Sequence, residues 1–211
     1  MYYESILKQT IQIFENLEII IESISEEKFQ SIIGGFPIWK NLYHCIHSLD
    51  KNIIDPDSYC EPSFHEKNMD VIYLETPTKL SKKELINYYT EVKDKIMSYF
   101  NLLNDEILLE QVFLNEKYYT RLELILAQLR HVFYHVGYLH CCIKIESGST
   151  PEYIGLYKRV QINKNGWLTT ASTRLIHCHN FCGRCAAKIA PTASRVKQML
   201  GTPFGVKKKY Y

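Results

Sequence analysis

Four long segments of the chain repeat apolar residues at spacings of three and four, and this period constrains the fold more than any other feature. Such spacing places the apolar residues on one face of an α-helix, which has about 3.6 residues per turn. In the first segment, from Tyr3 to Ile24, the stripe consists of Ile6, Ile13, Phe14, Leu17, Ile20, Ile21 and Ile24. We therefore predict a first amphipathic helix that buries this face.

A Gly-Gly pair at residues 34–35 interrupts the helical pattern. The second predicted helix follows it and runs from about Ile38 to about Ile54. Pro37 precedes it at a position that the first turn of a helix tolerates. Its apolar stripe consists of Trp39, Leu42, Tyr43, Ile46 and Leu49.

Two capping boxes mark the starts of the remaining helices. Residues 81–84 (Ser-Lys-Lys-Glu) open a third helix that runs to about Leu103, and residues 120–123 (Thr-Arg-Leu-Glu) open a fourth. In this motif the hydroxyl and the glutamate satisfy backbone N–H groups that the first helical turn leaves free. The pair Ser147-Gly148 is predicted to end the fourth helix, because glycine accepts the left-handed conformation.

Prolines at positions 56, 62 and 77 punctuate the segment between the second and third helices, and they predict a long irregular crossover. The interpretation is an all-α fold: an up-down four-helix bundle over residues 1–160, with no strand of useful length. Residues 153–157 are predicted to pack on it as a short turn.

The formal net charge of +2 hides a division of the chain. Residues 1–152 carry 14 basic and 23 acidic side chains, whereas residues 153–211 carry 11 basic side chains and no acidic one. With 46% hydrophobic residues, the acidic part can bury a core. We predict that residues 161–211 form an irregular basic tail that contains Cys and His.

The chain has no apolar run of the roughly 20 residues that cross a bilayer, and its start lacks the pattern of a signal peptide. We therefore predict a cytoplasmic protein without a membrane segment. Seven cysteines in that compartment are expected to be reduced thiols or metal ligands rather than disulfides.

His131 and His135 lie four residues apart, so that both imidazoles leave the same face of the fourth helix. A divalent transition metal needs a third ligand from a neighbouring helix, and the second helix offers His44 and His47. Three imidazoles would leave coordination positions open, as in a catalytic metal site. The alternative is that these histidines are hydrogen-bonded residues of the core.

Other polar candidates are less favoured as ligands. His140 lies about half a turn round the helix from His131 and is expected to face elsewhere. His65, in the crossover, is interpreted as a solvated loop histidine rather than a residue of the site. Cys141 and Cys142 are adjacent, so they diverge round the helix and are interpreted as packing residues.

Residues 39–44 (Trp-Lys-Asn-Leu-Tyr-His) and 130–140 (Arg-His-Val-Phe-Tyr-His-Val-Gly-Tyr-Leu-His) resemble the DinB-like (DNA-damage-inducible, YfiT-like) four-helix-bundle family. The resemblance covers roughly residues 1–160. It implies a divalent metal, commonly nickel, zinc or iron, held by His44, His131 and His135. His47 stays open as an alternative first ligand.

The resemblance also implies a homodimer and a metal-dependent enzyme acting on a small molecule. Family members include S-transferases and isomerases that use bacillithiol, mycothiol or glutathione, so we expect a thiol S-transferase or a hydrolase that activates water or a low-molecular-weight thiol. Val136 and Tyr138 stand where relatives commonly have Arg and Gln, and the substrate therefore does not transfer. The alternative function is a non-catalytic helical scaffold or sensor module.

The tail contains a second cluster of soft ligands, Cys178, His179, Cys182 and Cys185, which would suit a small zinc site. Free cysteines are the favoured interpretation, because zinc ribbons and fingers add a distant second pair of ligands. The basic residues of the tail are interpreted as a solvated segment against the acidic body. Nucleic-acid binding through phosphate contacts, or a fused end of different origin beyond about Asn165, are the alternatives.

Overall fold

A computed structural model describes residues 2–56, 59–114, 116–155, 160–162 and 168–170. This part of the chain is mostly helical. Its helices are α1 (Tyr2–Ser23), α2 (Glu26–Phe29), α3 (Ile38–Asn52), α4 (Lys82–Phe100), α5 (Asp105–Leu108) and α6 (Arg121–Ser147). The four long ones, α1, α3, α4 and α6, agree with the predicted helices to within three residues at either end.

Short strands pair in twos. The antiparallel pairs are β1 (Ile32–Ile33) with β2 (Phe36–Pro37), and β3 (Gln111–Leu114) with β4 (Lys117–Thr120). A further pair joins β5 (Val160–Ile162) to β6 (Leu168–Thr170). The chain divides into two compact units, residues 1–160 and residues 161–211.

The core lies between the long helices. Helix α1 contacts α4 and α6, and helix α3 contacts the same two helices. Every residue of the apolar stripes predicted for α1 and α3 is buried, including Phe14, Leu17, Trp39 and Leu42. Burial of these faces is the main force that holds the helices together, at about 25 cal/mol per Å² of apolar surface.

The predicted capping boxes of α4 and α6 and the predicted glycine end of α6 are confirmed. At α4 the Ser81 hydroxyl accepts from the Glu84 backbone N–H and the Glu84 carboxylate accepts from the Ser81 N–H. Thr120 and Glu123 make the same pair of bonds at the start of α6. At its other end Gly148 adopts the left-handed conformation with φ of 74°.

The crossover between α3 and α4 is long and irregular, as predicted, and its described residues form neither helix nor strand. Met69 and Leu80 are buried within it. Lys40 on α3 is itself only 2% exposed and donates from Nζ to the Leu74 carbonyl. The crossover is therefore tied to α3 by both apolar and polar contacts.

The prediction that no strand interrupts the helices was wrong for the two hairpins of this unit. The first hairpin turns through Gly34 and Gly35, both at positive φ. Gly34 lies against the ring of Tyr138, whose hydroxyl donates to the Ile33 carbonyl at 2.6 Å. Strands of two to four residues are too short to show an alternating pattern. From the sequence, the two glycines therefore indicated only an interruption between two helices.

The segment after α6 packs on α1 as predicted, with Ile154 buried, but residues 151–155 are irregular rather than a turn. Asn16 on α1 holds this segment in place. Its side chain accepts from the Ile154 N–H and donates to the Ile154 carbonyl, both at 2.9 Å. Residues 156–157 lie outside the described part of the chain.

Among the residues that the structure describes, no helix combines the length and the apolar character that crossing a bilayer requires.

Candidate metal centre

His44 of α3 meets His131 and His135 of α6. The Nε2 atom of His131 lies 3.1 Å from Nε2 of His44 and 3.1 Å from Nε2 of His135. The four-residue spacing on α6 aligns two rings, and the packing of α3 on α6 adds the third. The structure thus brings together the three residues that the resemblance implies.

Hydrogen bonds on the far side orient two of these rings. Nδ1 of His44 lies 2.6 Å from the Asp70 carbonyl oxygen, and Nδ1 of His135 lies 3.2 Å from the Asn41 side-chain oxygen. A carbonyl oxygen only accepts, so each Nδ1 carries the hydrogen of its neutral imidazole. The lone pairs of both rings are consequently on Nε2, directed at His131.

The cluster has too few hydrogens to satisfy its own nitrogens. When His44 and His135 present lone pairs, His131 has a single N–H on Nε2 to offer to both of them. At least one short nitrogen to nitrogen contact is then left without a full hydrogen bond, which is unfavourable at a half-buried position. A Lewis acid between the three nitrogens would satisfy all of them.

The distances suit such an ion. With metal to nitrogen bonds of about 2.0–2.1 Å, neighbouring ligand atoms of a tetrahedral site lie about 3.3 Å apart. The observed separations of 3.1 Å are close to that value. His135 is only 4% exposed, whereas His44 and His131 are half-buried, so the cluster has both a buried and an accessible side.

The surroundings favour neutral imidazoles. Burial, helped by the neighbouring His44 and His131, lowers the pKa of His135 from 6.5 to about 4. Burial, then the proximity of His44, also lowers the pKa of His131. Neutral rings are the form in which histidine binds a metal.

His47, the alternative first ligand, belongs to a different group. It is 3% exposed, and its Nε2 lies 2.5 Å from Oε2 of Glu61. His65 joins this group, with Nδ1 at 2.5 Å from the Tyr43 hydroxyl and 3.7 Å from Glu61 Oε2. The interpretation of His65 as a solvated residue was wrong, because its side chain is only 14% exposed.

Sequence reasoning missed Glu61 altogether. Its position four residues before His65 was the available signal, but the crossover has no helical period that would make this spacing meaningful. A turn brings Glu61 and His65 together, and it is closed by the hydrogen bond from the His65 N–H to the Pro62 carbonyl. Composition does not reveal such local geometry.

The remaining candidates lie apart from both groups. His140 packs edge-on against Tyr153, with ring centroids 6.1 Å apart, and is in neither cluster. Cys142 is buried and Cys141 is exposed, so they point in different directions as expected. The candidate tail site, Cys178, His179, Cys182 and Cys185, lies outside the described residues.

A scan against protein-family models and searches of curated proteins and of solved structures return no match for the chain.

The lowered pKa of His135 predicts an acid-dependent loss of stability in chelator-treated protein. Between about pH 6.5 and about pH 4 the unfolded chain binds a proton at this position that the folded chain resists. The free energy of unfolding is therefore highest above pH 6.5 and falls as the pH is lowered through this window. Urea titrations at several pH values measure it, and His135→Gln is expected to give a shallower fall. Equal slopes in both proteins would contradict the prediction.

Proposed function

We propose that the protein binds a divalent transition metal through His44, His131 and His135 and acts as a metal-dependent enzyme. The observation that carries this proposal is that Nε2 of His131 lies 3.1 Å from Nε2 of both His44 and His135, whose rings are oriented from behind. Such outer hydrogen bonds are typical of metal-ligating histidines.

Three nitrogen ligands leave positions open for other molecules. A divalent ion held there would lower the pKa of a bound water or thiol, which makes a nucleophile at neutral pH. The protein's part is to keep the rings neutral by burial and to hold their tautomers through Asn41 and the Asp70 carbonyl. The half-buried side of His44 and His131 gives access to a small molecule.

The resemblance to the DinB-like family supplies the finer parts of the proposal. It favours nickel, zinc or iron as the metal, and a thiol S-transferase or hydrolase using bacillithiol or another low-molecular-weight thiol. It also favours an up-down four-helix bundle and a homodimer. The contacts of α1 and α3 with both α4 and α6 support the bundle.

Metal binding predicts a change in thermal stability. An ion that binds only the folded chain adds about 2.7 kcal/mol when its concentration is about 100 times Kd. Adding nickel or zinc should therefore raise the Tm of the wild type, and chelation should lower it. His131→Ala should lose most of this shift and one bound ion, whereas His140→Ala, outside the cluster, should keep both. An unchanged Tm with every divalent ion would favour the scaffold alternative.

The orienting role of Asn41 predicts graded affinities. Loss of an outer hydrogen bond to a ligating histidine weakens metal binding by about 10–100-fold. Asn41→Ala should show such a loss in competition with a chelator of known affinity. Asn41→Asp keeps an acceptor facing Nδ1 of His135 and should bind at least as tightly as the wild type. Asn52→Ala, on the same helix, is the matched control, and equal affinities for all four proteins would contradict this role.

Catalysis is tested with the metal-loaded protein and a thiol. If the proposal is correct, the consumption of bacillithiol by an electrophile, or the hydrolysis of an activated ester, should be faster with the wild type than with His131→Ala. Rates are measured by thiol titration and absorbance. Metal binding without either activity would favour a metal-stabilised scaffold or sensor.

A further inference from the structure

A second group of potential ligands lies beside α3, made of His47, Glu61 and His65. We propose that this group is a second divalent-cation site, distinct from the three-histidine centre. Each residue offers one ligand atom, and these atoms all lie within 4.8 Å of one another. The site is assembled from α3, which contributes His47, and from the crossover, which contributes the other two residues.

The ligand atoms converge on one carboxylate oxygen. Oε2 of Glu61 lies 2.5 Å from Nε2 of His47 and 3.7 Å from Nδ1 of His65. Two imidazole nitrogens and one carboxylate oxygen form a donor set that suits zinc, iron and other divalent transition metals. The triad of α3 and α6 has nitrogens only, so the two sites differ in chemistry.

Neighbouring groups hold the ligands in this arrangement. Lys51 donates to Oε1 of Glu61 at 3.1 Å, and the Tyr59 hydroxyl donates to Oε2, the oxygen that faces the imidazoles, at 3.2 Å. The rings of His47 and His65 are stacked, with centroids 4.9 Å apart and planes inclined by 16°. Oδ1 of Asp70 lies 3.9 Å from Nε2 of His65, at ion-pair distance but too far for a hydrogen bond.

The local charge favours a cation. Glu61 and Asp70 are two carboxylates within 4 Å of the imidazoles, and Lys51 offsets one of them. His47 is buried, and this burial lowers its pKa. Neutral His47 therefore adds no positive charge to that of Lys51, which lies on the same helix.

Cation binding replaces two hydrogen bonds. The proton that His47 now shares with Glu61 must move from Nε2 to Nδ1, and the Tyr43 hydroxyl must turn away from Nδ1 of His65. Neither change alters the total number of protons. Glu61 is 40% exposed, so that water can complete the coordination shell.

The number of cobalt ions bound per chain tests the proposal. Chelator-treated full-length protein is titrated with Co²⁺, and bound metal is measured after dialysis. We expect Glu61→Gln and His65→Asn each to bind one ion fewer than the wild type. Glu66→Gln removes another carboxylate of the same crossover and should bind as many ions as the wild type. Comparing each variant with the wild type cancels any contribution from the tail cysteines.

Glu61→Gln keeps the size of an exposed side chain, and circular dichroism verifies that each variant is folded. Binding of the same number of ions by Glu61→Gln, His65→Asn and the wild type would overturn the proposal and leave a hydrogen-bonded cluster. His131→Ala distinguishes the two sites, because it should lose the ion of the three-histidine centre. The double variant His131→Ala/Glu61→Gln should therefore bind two ions fewer than the wild type. If His131→Ala loses an ion but Glu61→Gln and His65→Asn do not, the second site fails and the proposed function stands. If only Glu61→Gln and His65→Asn lose an ion, the proposed function fails and the second site stands.

Discussion

The packing of α3 against α6 is the contact on which the rest of the structure depends. The apolar stripe of α3, with Trp39 and Leu42, seats the helix in the core. That seating fixes the rotation of α3, and the rotation decides that His44 faces His131 on the neighbouring helix. Because charged imidazoles are unfavourable at a buried contact, the same packing that stabilises the fold keeps the rings in the form that binds metal.

The crossover supplies hydrogen-bond partners for the polar side chains of α3. Three polar side chains on this helix, at successive positions along one side, find their partners there: Lys40 at the Leu74 carbonyl, His44 at the Asp70 carbonyl and His47 at Glu61. Buried polar groups need such partners, since an unsatisfied one costs about 1–3 kcal/mol. The irregular path of the crossover therefore follows the polar side of α3, where it supplies the hydrogen-bond partners of these side chains.

Local chemistry explains which features were predictable. The helical period identified the four long helices, and the capping boxes located two starts, because both depend on residues close in sequence. The choice between His44 and His47 depends on how α3 is rotated against α6, which no local pattern contains. Glu61 and His65 meet His47 through the path of the crossover, and the hairpins are too short for an alternating pattern. These contacts are set by tertiary packing.

The contact between Gly34 and Tyr138 has a consequence for how the chain can change over generations. Tyr138 occupies the space that a side chain at position 34 would need, and its hydroxyl bonds to the carbonyl of the preceding Ile33. A side chain at position 34 would collide with the Tyr138 ring and would also be strained at a φ of 64°. The constraint runs in one direction: a smaller residue at 138 is compatible with Gly34, whereas a larger residue at 34 is unfavourable as long as Tyr138 is present, although the two positions lie 104 apart in sequence.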